Sequence, residues 1–232
     1  MFQPRIGTRK LHYLLNRAMD IHVGRDRLFK LLKQHRLLVK PKRSYHKTTH
    51  SYHRFYKHPN CTKAGEQQFN AKQPEQLWVA DITYLPVQRG VAYLSLITDA
   101  WSRKIVDYHV HHTLSTAEVI KAYLKALKSR KNKDVELIHH SDRGIQYCSN
   151  QYQALHKKHG VRCSMTDGYD CYQNALAERV NGILKQEYLI HKPRDIQEAS
   201  QMVSESIKIY NERRPHLSLK YKTPNEVHQA FG

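Results

Sequence analysis

The sequence is short of acidic residues. Its 232 residues carry 39 Lys and Arg against 20 Asp and Glu, a formal net charge of +19, and no acidic residue stands between Arg27 and Gly65. The imbalance is also uneven: residues 1–60 hold fifteen Lys and Arg against Asp20 and Asp26, a net of +13, which leaves only +6 for the rest of the chain. Charge concentrated at one end argues against a general solubilising role and for a polyanionic partner. Cysteine is scarce as well. Cys61, Cys148, Cys163 and Cys171 form no C-x-x-C pair, which speaks against a disulfide framework and leaves a structural zinc site without its ligands. His46 and His50 have a zinc-finger spacing, but no Cys pair precedes them. No apolar run approaches the roughly 20 residues that a membrane-spanning helix requires, and no signal peptide opens the chain. A cytoplasmic protein with no membrane partner is expected.

The length suits one sizeable core and a small second unit. Residues 1–40 read as two short helices, with Leu11, Leu14 and Leu15 at helical spacing, then Leu28, Leu31 and Leu32, and IHVGRD between them as a turn. Studded with Arg and Lys, this pair fits a helix-turn-helix, although an amphipathic hairpin packed on the larger domain has the same pattern. Residues 41–74 read as an extended basic linker. In it Tyr45, Tyr52, Phe55 and Tyr56 are interleaved with Lys42, Arg43, Lys47, Arg54 and Lys57, cations for phosphates and rings for exposed bases. The large domain, 75–192, begins with three strands, Leu77–Leu85, Val91–Thr98 and Lys104–His111. A helix from Thr116 to about Arg130 follows, then a strand at Val135–His139, a helix at Asn150–His159 and a short strand at Val161–Met165. Hairpin-linked strands followed by alternating strand and helix imply an α/β fold, a mixed sheet flanked by helices. Residues 193–232 read as a helical extension. It holds an amphipathic helix at Asp195–Arg213 and a final helix capped by Thr223, Pro224 and Glu226.

Three carboxylates stand out. Asp81 lies inside the strand LWVADITYL, Asp142 ends an apolar run, and Glu178 sits in a helix. An in-line displacement at a phosphodiester requires the attacking and leaving oxygens to be stabilised together, which two divalent ions about 3.5–4 Å apart can do. Hard ions of that kind take oxygen ligands. At about 100° per residue, Leu176, Val180, Ile183 and Leu184 form the apolar stripe of the last helix, while Glu178, Gly182 and Lys185 occupy the opposite side. Asp167 and Asp170 in TDGYDCYQ read as loop residues, Asp99 as the start of a turn, and His140 either contacts metal-bound water or merely packs.

Asp81, Asp142 and Glu178, with 35 residues between the last two, resemble the D,D(35)E signature of insertion-sequence transposases and retroviral integrases. LWVADITYLP, ITDAWSRKIV, HSDRGIQYCS, NALAERVNGILKQE and YNERRPHLSL are similar to the words of OrfB-type transposase subunits. Two positions depart from that pattern: Gln173 stands where the family usually has Asp, and Arg179 where it has Ser. The resemblance implies an RNase H-like core and a helix-turn-helix-like segment at the start of the chain. It also implies a metal-dependent DNA transposase that nicks at element ends and transfers the new 3′-hydroxyl to target DNA. Asp81, Asp142 and Glu178 would be both catalytic residues and ligands of two Mg²⁺, or Mn²⁺. Lys185 and Arg179 on the helix, and Lys42, Arg43, Lys47 and Arg54 in the linker, are the expected DNA contacts. Double-stranded DNA, an OrfA-type partner or fusion, and a dimer or larger assembly on DNA are the expected partners, in a nucleoid-associated protein. A noncatalytic DNA-binding repressor and a structure-specific nuclease share the expected DNA affinity; strand transfer separates them from a transposase.

Overall fold

The computed structural model describes residues 5–39, 58–63, 68–167 and 174–231. The linker positions Lys42, Arg43, Lys47 and Arg54, with their interleaved aromatics and the His46/His50 pair, lie outside these residues, as do Asp170, Cys171 and Gln173.

The first three strands, β1 (Leu77–Pro86), β2 (Val91–Asp99) and β3 (Ile105–His111), form an antiparallel meander. The β-branched and aromatic residues of LWVADITYLP suit a pleated surface, and the positive φ of Gly90 turns the chain into β2. After α3 (Thr116–Ser129), β4 (Ile138–Ser141) enters parallel to β1, and after α4 (Ile145–Cys148) and α5 (Asn150–Lys158), β5 (Arg162–Met165) enters parallel to β4. The sheet order is β3-β2-β1-β4-β5, the mixed sheet flanked by helices of an RNase H-like fold. Ser115, Ser149 and Asp195 each cap a helix by accepting a backbone N–H of its first turn, and Thr223 with Glu226 closes the full capping box expected of the last helix.

Alternation along β1 divides the core in two. Trp78 and Ala80 point to the face covered by α3 and α5, packing with Val119, Tyr123, Leu137 and Tyr152. The opposite face carries Leu85, Leu94 and Leu96, covered by Val180, Ile183 and Leu184 of α6 (Ala175–Ile183) and the turn after it, and by Val203, Ile207 and Tyr210 of α7 (Ile196–Arg213). Near β4 that second face is covered instead by Cys61, Phe69 and Ala71, packed against Leu77 and Ile138.

The structure corrects two boundaries. The fourth strand runs from Ile138 to Ser141 rather than Val135–His139, because its pairing with β1 begins at Leu77↔Ile138. Upstream, Val135 lies in a loop where its carbonyl accepts from the Arg130 guanidinium. Part of the expected linker is also not linker: the Cys61 N–H donates to Ser164 Oγ at 2.9 Å, and the Met165 N–H donates to the Pro59 carbonyl at 3.4 Å. These bonds strap residues 58–63 across β5.

Candidate active site

The parallel register Val79↔His140 carries β4 forward until its next residues leave the sheet level with Asp81. Strand ends of this kind expose side chains at an edge where helices do not cover them. Asp142 occupies that edge, and its Oδ1 accepts from the Gly144 N–H at 3.0 Å. Asp81 points to the α6 side of the sheet, where Asn181 Nδ2 donates to its Oδ2 at 2.7 Å. Glu178, exposed on α6, lies one turn before Asn181.

The three carboxylates sense one another. Burial and the negative charge of Asp142 push the Asp81 carboxyl up to about 7, with Glu178 adding in the same direction and the Asn181 amide opposing. Glu178 is shifted upward by burial and by Asp142. Like charges converging at a sheet edge hold protons more tightly and form a donor set suited to a hard divalent cation. As the side chains stand, no three His, Cys, Asp or Glu among the described residues are gathered into one metal cage. Glu178 is the exposed member of the three, and its long side chain has the rotamer freedom to approach Asp142.

Lys185 lies one turn after Asn181, as Glu178 lies one turn before it, and residues Leu184–Tyr188 form a π-helical turn directly after α6. The Lys185 side chain turns back to the sheet, half-buried, and its Nζ donates to Thr83 Oγ1. Burial lowers its pKa and the nearby Asp81 charge opposes this. Gly182 has open space where a Cβ would stand. Arg179 is exposed next to Glu178, on the side of α6 that faces Lys10 and Tyr210.

His140 packs under the strap: its Nδ1 is 2.8 Å from Ser164 Oγ, and Thr62 of the strap approaches Nε2 at 3.5 Å. Asp99 is fully buried, accepting from Ser102 N–H, Ser102 Oγ and Glu75 N–H, each at 2.7 Å. It fixes the DAWSR turn. Asp167 pairs with Lys63 at 2.9 Å.

Four residues around the carboxylates escaped the sequence reading: Asn181, Thr83, Gly144 and Asn174, whose Nδ2 donates to the Ala80 carbonyl and pins the start of α6 beside Asp81. Asn181 had a legible signal. An Asn inside a helix, on a side flanked by Ala177 and Val180, is a poor helix former that needs a buried partner. Gly144 had none.

Two integrase core domain family models match, one over residues 71–171 and one over 159–224. A 31 kDa protein of insertion element IS600 from Shigella sonnei is 39% identical over 227 residues, covering 97% of this chain and 82% of that protein. A putative transposase for insertion sequence element IS986/IS6110 from Mycobacterium tuberculosis is 32% identical over 174 residues, covering 72% of this chain and 62% of that protein, so the chain spans about three fifths of that relative. Among solved structures, the integrase catalytic core of HTLV-2 in complex with magnesium covers 68% of this chain and 99% of its own, with a TM-score of 0.55 at 19% identity, a likeness of fold. With the carboxylates at the edge of that fold and the identity to the IS600 protein running through nearly the whole chain, this protein belongs to the insertion-sequence transposases built on an integrase core.

Proposed function

We propose that this chain is a DDE transposase subunit that cleaves DNA at the ends of its element and joins the freed 3′-hydroxyl to target DNA. The observation that supports the reading is that Asp81, Asp142 and Glu178 are close enough for the charge of Asp142 to raise the proton affinity of both others. Such mutual repulsion is what a divalent cation relieves, and the all-oxygen donor set matches Mg²⁺ or Mn²⁺. Magnesium accompanies the HTLV-2 core with the same fold.

When bound, two such ions would supply charge for the attacking and leaving oxygens of a phosphodiester. The chain's own residues do the rest. Asn181 holds one oxygen of Asp81, which orients the carboxylate, and Gly144 holds Asp142 through its N–H. Lys185, which donates to Thr83 two residues beyond Asp81, would receive a phosphate of the bound strand. Arg179 and the basic stretch containing Lys42, Arg43, Lys47 and Arg54 would hold the flanking duplex, with affinity that falls as salt rises. The units 1–40, 41–74, 75–192 and 193–232 then divide the work into DNA recognition, connection (with 58–63 strapped to the core), chemistry and support. An OrfA-type partner and assembly into a dimer or larger complex on DNA complete the proposal, acting in the cytoplasm on the nucleoid.

The test is nicking of labelled element-end DNA by the purified chain, with and without the upstream partner, in Mg²⁺, Mn²⁺ or chelator. The account expects metal-dependent 3′-hydroxyl ends. Tight DNA binding with no cut under any of these conditions would favour a noncatalytic repressor.

A further inference from the structure

The word YNERRPHLSL and the last residues of NALAERVNGILKQE are not used by the chemistry above, yet they converge. Glu187, in the π-helical turn after α6, accepts two hydrogen bonds from Arg214, Nε to Oε2 at 2.8 Å and Nη2 to Oε1 at 2.7 Å. His216 adds its Nε2 at 3.1 Å from Arg214 Nη1. A bidentate Arg–carboxylate pair is self-sufficient. Here it takes a third charge from far away in the sequence: Lys10 of α1 (Thr8–Ala18) donates to Glu187 Oε1 at 2.8 Å, with only 18% of its side chain exposed. One turn further along α1, Tyr13 stacks on Tyr221 with ring centroids 4.4 Å apart and planes 8° from parallel. Residues three apart share a helix face, so α1 docks on the core at two points.

The docking reaches α2 (Arg25–Gln34) as well. Asn16 Oδ1 accepts from the Val23 N–H at 3.2 Å, and its Nδ2 donates to the carbonyls of Val23 and His12. Val23 stands two residues before α2, so these bonds tie the entry of α2 to α1. With α1 turned inward, α2 leaves Arg27, Lys30 and Lys33 exposed. We propose that Glu187 is the docking pin of the N-terminal helical unit: by gripping Lys10 it holds the basic side of α2 at a fixed offset from the carboxylates. That offset sets where DNA is cut relative to the sequence α2 touches. The inference rests on the DNA-cutting reading, but its first measurement does not require cutting.

Lys10→Met is the variant of choice. It removes one of the two docking points of α1 while leaving the Arg214–Glu187 pair intact, whereas Glu187→Gln strands a buried guanidinium and endangers the fold. Spin labels go at Gln34→Cys on α2 and Lys208→Cys on α7, both exposed, in a Cys171→Ser background, the other three cysteines being buried. The parent should give one narrow distance distribution, Lys10→Met a distribution broadened at least twofold, and Lys10→Arg the parent's. An unchanged distribution in Lys10→Met overturns the docking role. On end-labelled duplex, the parent should nick at one dominant phosphate, and Lys10→Met should spread its cuts over neighbouring phosphates, with several-fold less at the parental position. A broadened distance with cuts still at one phosphate overturns the claim about cut position. If the parent cuts nothing, the DNA-cutting reading and the claim about cut position fall together, and the distances alone decide the docking.

Discussion

Asp81 is held in tension with its surroundings. Its folded-state pKa of about 7 lies above the ordinary carboxylate value because burial and Asp142 disfavour its charge. A carboxyl whose folded pKa is raised binds its proton more tightly in the folded than in the unfolded chain. Stability of the metal-free protein should therefore fall as pH rises from about 4 to about 7 through this group. Asp81→Asn removes the charge and keeps the shape, so in chelator at pH 8 it should melt higher than the parent. A rise of about 2–4 °C corresponds to roughly 1 kcal/mol in a domain of this size. A lower melting temperature would contradict the strained pair. Gly144 makes a cleaner test of geometry. A Cβ there would meet Asp142 Oδ1 at 3.0 Å, while its φ of −61° and ψ of 144° suit any residue. Gly144→Ala should leave melting nearly unchanged and lower nicking about tenfold or more, since small misplacements at a reacting centre are costly. Unaltered nicking would show that the Asp142 carboxylate tolerates the crowding.

At the scale of elements, most of what the sequence showed was periodicity. β1, β2, β3, α3, α5 and α7 could be read within one or two residues, the strands because turn residues bound their β-branched and aromatic runs, the helices because each buries one apolar face. The apolar stripe of α6 could be read for the same reason. Where local pattern stops deciding, the reading failed. Val135 has a strand-like neighbourhood, but pairing with Leu77 starts three residues later. The strap at 58–63 looked like tether because its bonds run to Ser164 and Met165, about a hundred residues away. YNERRPHLSL could be recognised but not explained, and its Asn211 shows why. The side chain accepts from the Ile105 N–H at 2.9 Å and donates to the Ile105 carbonyl at 2.9 Å, acting as one residue of a neighbouring strand along the sheet-edge strand β3. Asn211→Ala leaves two buried backbone groups unpaired and should cost about 2–4 kcal/mol, read as a lower urea midpoint with unchanged slope. A change under about 0.5 kcal/mol, within the usual range for an innocuous surface substitution, would mean that water replaces the amide. Unguarded edges also invite strand pairing between molecules, so the variant should aggregate at concentrations where the parent stays monodisperse.

For the whole molecule, charge and chemistry are segregated. The +13 of residues 1–60 should dominate DNA affinity. Deleting residues 1–57, which spares the strap on Ser164, should flatten the plot of log affinity against log salt by about 0.9 for each phosphate of duplex DNA that the shortened chain leaves unneutralised. Equal slopes for the two proteins would mean that this charge is spent elsewhere. On the proposed reading the carboxylates serve the reaction and add little to that attraction, so affinity and activity should come apart in a single variant. The decisive measurement is covalent joining of a labelled element end to target plasmid by parent and Asp142→Asn protein, at matched DNA occupancy in Mg²⁺. The account predicts joined product from the parent and a loss of roughly a hundredfold or more in Asp142→Asn, the scale expected when stabilisation of the reacting oxygens is removed, with the melting temperature and DNA affinity of the variant close to the parent's. Joining by Asp142→Asn at the parental rate would contradict it.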